Sequence, residues 1–362
     1  MKKLLLAALL VPSVGVFAQQ RVPLFENFSS STCGPCKNGN AVYKSVVDSK
    51  PATEYVSVKY QQDFPTAGGG TIKGDPYATS ETINRRNYYS INSIPRMEAN
   101  GGWDKNAGQF TSTDYTTFKN QPATYNLSGA YTLDASTKEV KAKVTYAPLN
   151  NTVAAAGVRL HIVIIESVTE NNAKTNGETK FYDIVKKMLP NNQGTGLGAM
   201  TVGTPQTTTL TYKFEGVYRL PSDGASANRI NLGTEHSVEN FANLKVVAWV
   251  QGADKTVYQA AHLMKVNSLD VNDVTNNLDS YTLYPNPASN VINIDVTMKN
   301  ADDVSAMLVN LNGAVVAQKS MSLKAGNNKM SMDVQNLPAG YYTMIISDSK
   351  TNAFVEKVTI VH

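Results

Sequence analysis

The sequence predicts an α/β domain, then an all-β sandwich, then a small C-terminal β-sandwich. Three observations carry this reading. Up to about residue 122, apolar strands alternate with helical stretches, the order of an α/β unit. From Thr124 onward, runs such as Val140, Ala142, Val144 and Tyr146 alternate with Lys141, Lys143 and Thr145, the period of half-buried strands. After a polar, Asn/Asp-rich stretch from Leu269 to Ser280, a further set of short strands begins at Tyr281. The expected divisions are residues 1–18, 19–122, 123–268, a linker at 269–280, and 281–362.

Residues 1–18 read as a cleavable export signal. Lys2 and Lys3 precede an apolar run from Leu4 to Phe17, and Val16-Phe17-Ala18 offers small residues at a peptidase site before Gln19. A membrane anchor is the competing reading, but the run is short for a bilayer. The net charge is +4 over 362 residues, and without a basic run nothing suggests a nucleic-acid partner. An exported chain can form disulfides, yet there are only 2 cysteines, and they lie close together.

In the α/β part, Val22 to Phe28 reads as a buried strand. Cys33-Gly34-Pro35-Cys36 then opens a helix whose buried face is expected at Ala41, Val42, Ser45 and Val46. Tyr55 to Tyr60 is a second strand. An irregular Gly/Pro-rich stretch, Gln61 to Asp75, follows, then a helix over Pro76 to Tyr89 and a strand after Ile94-Pro95. Further strands are expected around Val158 to Ile164, Leu210 to Phe214, Leu244 to Val250 and Val257 to Leu263.

A Cys-x-x-Cys pair at a helix start is suited to thiol chemistry. Unpaired backbone N–H groups and the helix dipole stabilise a thiolate on the first cysteine. That thiolate attacks a substrate disulfide, and the second cysteine resolves the mixed disulfide. Cys33 is the expected nucleophile and Cys36 the resolving thiol, with Gly34 and Pro35 starting the helix. Zinc would need two more ligands, which the scattered histidines do not offer. A purely structural short disulfide is the other alternative, although so small a ring removes little chain entropy. No metal or cofactor is expected. Gly68-Gly69-Gly70-Thr71-Ile72-Lys73-Gly74 lacks P-loop spacing, no Gly-x-Ser-x-Gly occurs, and His161, His236 and His262 read as ordinary histidines. Tyr88, Tyr89 and Trp103 are candidates either for a groove near the cysteines or for the core.

The string Cys33-Gly34-Pro35-Cys36-Lys37, placed after a strand and before a helix, resembles the thioredoxin superfamily. Ile94-Pro95 matches that family's Ile-Pro. The resemblance implies a cis Pro95 facing Cys33, a thiol–disulfide oxidoreductase activity on protein thiols or disulfides, and coverage of roughly Arg21 to Gln121. It also implies that Gln61 to Asp75 is an insertion emerging on the cysteine edge, as a rim or as a tolerated surface loop. Two positions depart from the family: Thr32 replaces a Trp, and Asn27 replaces the buried Asp that helps deprotonate the resolving thiol. Glu26 is adjacent, but strand alternation turns it to the other face.

A thioredoxin-like start followed by a β-sandwich is similar to the Omp28-related outer-membrane proteins of the Bacteroidetes, which carry a Glu-rich strand before the cysteine pair, as Glu26 does here. At the other end, Tyr284-Pro285-Asn286-Pro287-Ala288, Leu337-Pro338-Ala339-Gly340-Tyr341-Tyr342 and Lys357-Val358 resemble the type A sorting domain of the type IX secretion system. This implies passage through the periplasm to the cell surface, outer membrane or medium, recognition by the secretion machinery, and attachment to surface lipopolysaccharide after the domain is cut off. The functional expectation is an exported thiol–disulfide oxidoreductase. The alternative is a surface binding protein or adhesin, for heme or a protein ligand, on a thioredoxin scaffold.

Overall fold

The computed structural model describes residues 21–153, 157–269, 277–310, 314–348 and 353–362. The export signal, most of the expected linker and Asn312-Gly313, a turn signal expected from the sequence, lie outside them.

The first strand, β1 (Leu24–Ser29), is buried along its whole length. It leads through a tight loop into α1 (Gly34–Val47). Next come β2 (Val56–Gln61), α2 (Ser80–Tyr88), β3 (Arg96–Ala99), β4 (Trp103–Lys105) and α3 (Ser112–Lys119). Strands β1 and β2 run parallel, while β3 is antiparallel to β1 and β4 antiparallel to β3. The helix expected from Pro76 begins only at Ser80, because Thr79 and Thr82 form a reciprocal capping box there. The buried face of α1 is Cys36, Gly39, Asn40, Tyr43, Val46 and Val47, with Ala41 and Ser45 exposed. The face differs from the expected one because Ala and Val outrank Asn and Gly in hydropathy, whereas here Asn40 hydrogen-bonds Ser29 and Glu178 and Gly39 packs on the Pro95 ring.

Then come β5 (Tyr125–Asp134), β6 (Glu139–Pro148), β7 (Arg159–Thr169), β8 (Phe181–Leu189), β9 (Gln206–Lys213), β10 (Leu244–Gln251) and β11 (Val257–His262). The expected break near residue 122 does not separate two sheets. Strands β7, β8, β10 and β11 extend the first sheet, in the order β11-β10-β7-β8-β2-β1-β3-β4. Strands β9, β6 and β5, with Met264–Lys265, form a second sheet packed over part of it. The cause is visible in β7. Leu160, Ile162 and Ile164 face the second sheet, while Val163 and Ile165 face the core under β1 and β2. A strand buried on both faces joins two cores instead of bounding one. The large sheet curls, so that β11 lies near the start of β1, where Gln259 Oε1 accepts from the Val22 N–H at 2.8 Å.

The last unit comprises β12 (Leu278–Tyr284), β13 (Val291–Met298), β14 (Asp302–Asn310), β15 (Val315–Leu323), β16 (Gly326–Asp333), β17 (Gly340–Ser347) and β18 (Ala353–Ile360). Two sheets, β12-β13-β16 and β15-β14-β17-β18, enclose a core of their own. Leu278 is part of that core, so the unit starts inside the stretch expected as linker. Its outer face, at Val309 and Ile345, packs on Met264 of the preceding region.

Candidate functional site

The cysteines sit where β1 ends. Cys33 is the N-cap of α1, with extended backbone, and Pro35 occupies the first turn. Its missing N–H costs nothing there, because first-turn donors are unpaired anyway. Cys33 and Cys36 are joined by a disulfide. The Ile94–Pro95 peptide is cis, and the Ile94 carbonyl oxygen lies 3.7 Å from Cys33 Sγ. Pro95 also packs on α1 at Gly39, where a Cβ would stand 2.8 Å from the proline Cγ; a residue other than glycine would push the two apart. The residues singled out from sequence (Cys33, Gly34, Pro35, Cys36, Ile94 and Pro95) thus converge on one spot.

Exposure there is uneven. Gly34 and Pro35 face solvent, but Cys33 is only 1% exposed and Cys36 is fully buried. Two segments wall the loop. From the insertion, Pro65 O accepts from Thr32 Oγ1 at 2.7 Å, and Asp75 Oδ2 accepts from the Ser31 N–H at 3.0 Å. From the β7–β8 connection, Asn176 N–H donates to Ser31 O at 2.9 Å. Glu178 accepts from Asn40 Nδ2 of α1. The insertion carries a short hairpin (Thr66–Ala67 with Ile72–Lys73), and Asp63 at its base is held by Arg86 and Arg229. Burial pushes the Asp75 carboxyl up, opposed by its hydrogen bonds to Tyr77, Ser31 and Asn172. Asp75 and Asn176 were not singled out from sequence, since their partners lie far away along the chain.

Beneath α1, position 27 is buried, as expected, with Asn27 1% exposed. Neither atom of its amide has a hydrogen-bond partner among the described residues. Lys59 is its register partner on β2, and burial lowers the Lys59 pKa. Glu26 points the other way, into the curled sheet. Arg85 grips it with Nε at 2.7 Å and Nη2 at 2.9 Å, while Tyr60 and Tyr89 hydroxyls donate to it at 2.8 and 2.6 Å. Such a fully buried ion pair fixes α2 against β1 only because every lone pair is used. Tyr89 therefore belongs to this network, and Trp103 packs on Phe110 and Phe118.

Among the described residues no group of His, Cys, Asp or Glu is clustered to hold a metal ion.

Residues 282–361 match the family described as the secretion system C-terminal sorting domain. The last unit is a sorting address. It engages the type IX secretion machinery and directs the chain through the periplasm to the cell surface, the outer membrane or the medium. Among solved structures, HBP35 of Porphyromonas gingivalis is similar over 95% of this chain and 99% of that one, at 12% identity and a TM-score of 0.50. That likeness shows the fold alone. A protein of Agrobacterium tumefaciens matches 71% of this chain and 99% of its own, at 14% identity and a TM-score of 0.41. No protein among the curated ones matches the sequence.

Proposed function

We propose that the chain is an exported, thioredoxin-like thiol–disulfide oxidoreductase delivered by its sorting domain. The observation that carries this is Cys33 at the N-terminus of α1, 3.7 Å from the Ile94 carbonyl ahead of a cis Pro95. The strand order β2-β1-β3-β4, with α1 and α3 on one face, supports the same reading. In the reduced protein the Cys33 thiolate attacks a substrate disulfide. One substrate sulfur leaves as a thiolate and takes a proton. Cys36 then attacks Cys33 Sγ, releasing the second substrate thiol and re-forming the Cys33–Cys36 disulfide. Two electrons pass to the substrate, and an external dithiol donor must return them. The reverse direction oxidises a substrate dithiol. Pro95 and Ile94 line the strip where a substrate backbone would lie, and Gly34 and Pro35 present the helix start.

Two observations favour the alternative, a surface binding protein on the same scaffold. Cys33 is 1% exposed, and position 27 carries an amide in place of a proton acceptor. On either reading, membership among the Omp28-related proteins and lipopolysaccharide attachment after removal of the sorting domain remain part of the proposal. Insulin reduction by the chain separates an oxidoreductase from a binding protein.

A further inference from the structure

A cavity of about 270 Å³ shares no lining residue with the cysteine centre. It opens between the end of α2, the start of β7 and the end of β10, and its walls include Arg85, Tyr88, Arg159, His161, Asn192 and Gln251. Three features mark it as built for a ligand. First, Arg159 has no ion-pair partner among the described residues. Second, His161 is 3% exposed, stacked on Trp249 at 5.0 Å, and its Nδ1 has no hydrogen-bond partner. Buried polar atoms are rarely left so. Third, the loop carrying Asn192 is pressed against His161 through Gly194, whose φ of +66° and distance of 2.5 Å from a would-be Cβ to Leu160 O exclude a side chain.

The charges there favour an anion. Arg85 brings no net charge, since Glu26 neutralises it. Lys255 Nζ lies 5.3 Å from the Tyr88 ring centroid. Asp254 is the acidic group nearby, and its carboxylate is turned to the Thr256 N–H and hydroxyl. Burial holds the His161 imidazole well below its ordinary pKa, so at neutral pH the ring is an uncharged hydrogen-bonding group. The Tyr88 ring, 39% exposed, carries the Arg85 guanidinium at 4.8 Å as well as the Lys255 ammonium, and the ammonium adds to the cationic character of this end.

We propose that this cavity binds a small carboxylate, paired to the Arg159 guanidinium, with His161 and Asn192 beside it. A guanidinium fork suits a planar carboxylate better than a point cation does.

The test uses the full chain and benzoate as probe, followed by the indole N–H resonances. There are 2 tryptophans, and Trp249 stacks on His161 whereas Trp103 packs in another core. Benzoate should shift the Trp249 signal saturably and leave the Trp103 signal in place. Arg159→Gln should weaken binding about ten- to a hundredfold, the loss expected for a charge-assisted hydrogen-bonded pair. The rest of its amide spectrum should be unchanged, which establishes that the variant folds. Benzyl alcohol, the neutral analogue, should not bind. The proposal is overturned if benzoate leaves Trp249 unmoved, if Arg159→Gln binds equally well, or if inorganic phosphate binds as tightly as benzoate.

Discussion

The Ile94 carbonyl oxygen faces Cys33 Sγ at 3.7 Å, and the next residue, Pro95, packs on the helix that Cys33 begins. The two chain segments are brought together by β1 and β3, neighbours in the sheet. One cysteine is therefore singled out by position, and that asymmetry sets the first expectation.

After reduction, alkylation near neutral pH should label Cys33 well before Cys36. Cys33 caps the helix, whereas Cys36 lies inside it and is fully buried. Cys33→Ser should abolish turnover, and Cys36→Ser should trap mixed disulfides with substrate. Equal labelling rates, read by mass spectrometry, would remove the assignment of roles.

Asn27→Asp should speed the resolving step by placing a proton acceptor under α1. Burying a carboxylate there costs about 1–3 kcal/mol of stability, reduced by the neighbouring Lys59. Turnover is measured against denaturant midpoint in the same variant. An unchanged rate would mean that position 27 does not act on Cys36.

Glu98 should lower stability as pH rises from about 4.5 to about 8, opposed by His161, His236 and His262, whose pKa values burial lowers. Glu98, buried on β3, has its pKa raised to about 8, chiefly by burial and then by Asp104 and Glu26. The folded chain thus holds a proton that the unfolded chain releases near the ordinary carboxyl value. Glu98 favours folding below that value, and the advantage is lost as pH climbs through the folded pKa. Glu98→Gln should flatten this part of the Tm profile. A native-minus-variant Tm difference that rises with pH across the window would contradict the sign.

Removing residues 278–362 should leave the chain in the periplasm with its thiol chemistry intact. The cut is placed at Leu278 because that residue belongs to the last core. Loss of the Met264 contact with Val309 and Ile345 should lower Tm slightly. Cell fractionation reads the outcome, and truncated protein at the surface would refute the sorting role.

Much of this was legible in the sequence because local signals sufficed. The cysteine string, the Ile-Pro pair and the terminal strings each carry their chemistry within a few residues. What escaped depends on distant partners. The alternation at Leu160, Ile162 and Ile164 was read correctly, but Val163 and Ile165 between them are apolar too, the mark of a strand covered on both sides. That run joins the two expected domains into one sheet. Arg85 was not singled out, since nothing near it in sequence announces Glu26. Strands β12, β15 and β16 were not placed, because β12 and β15 expose Tyr284, Val315 and Met321 and so break the alternation, while β16 is mostly polar around Met330 and Met332.

The most direct measurement is insulin reduction by the chain with a dithiol donor, run beside Cys33→Ser. The account predicts turnover of the native chain and none above the donor background for the variant. Equal, background-level rates for both would contradict an oxidoreductase and leave the Cys33–Cys36 pair as a buried clasp in a binding protein.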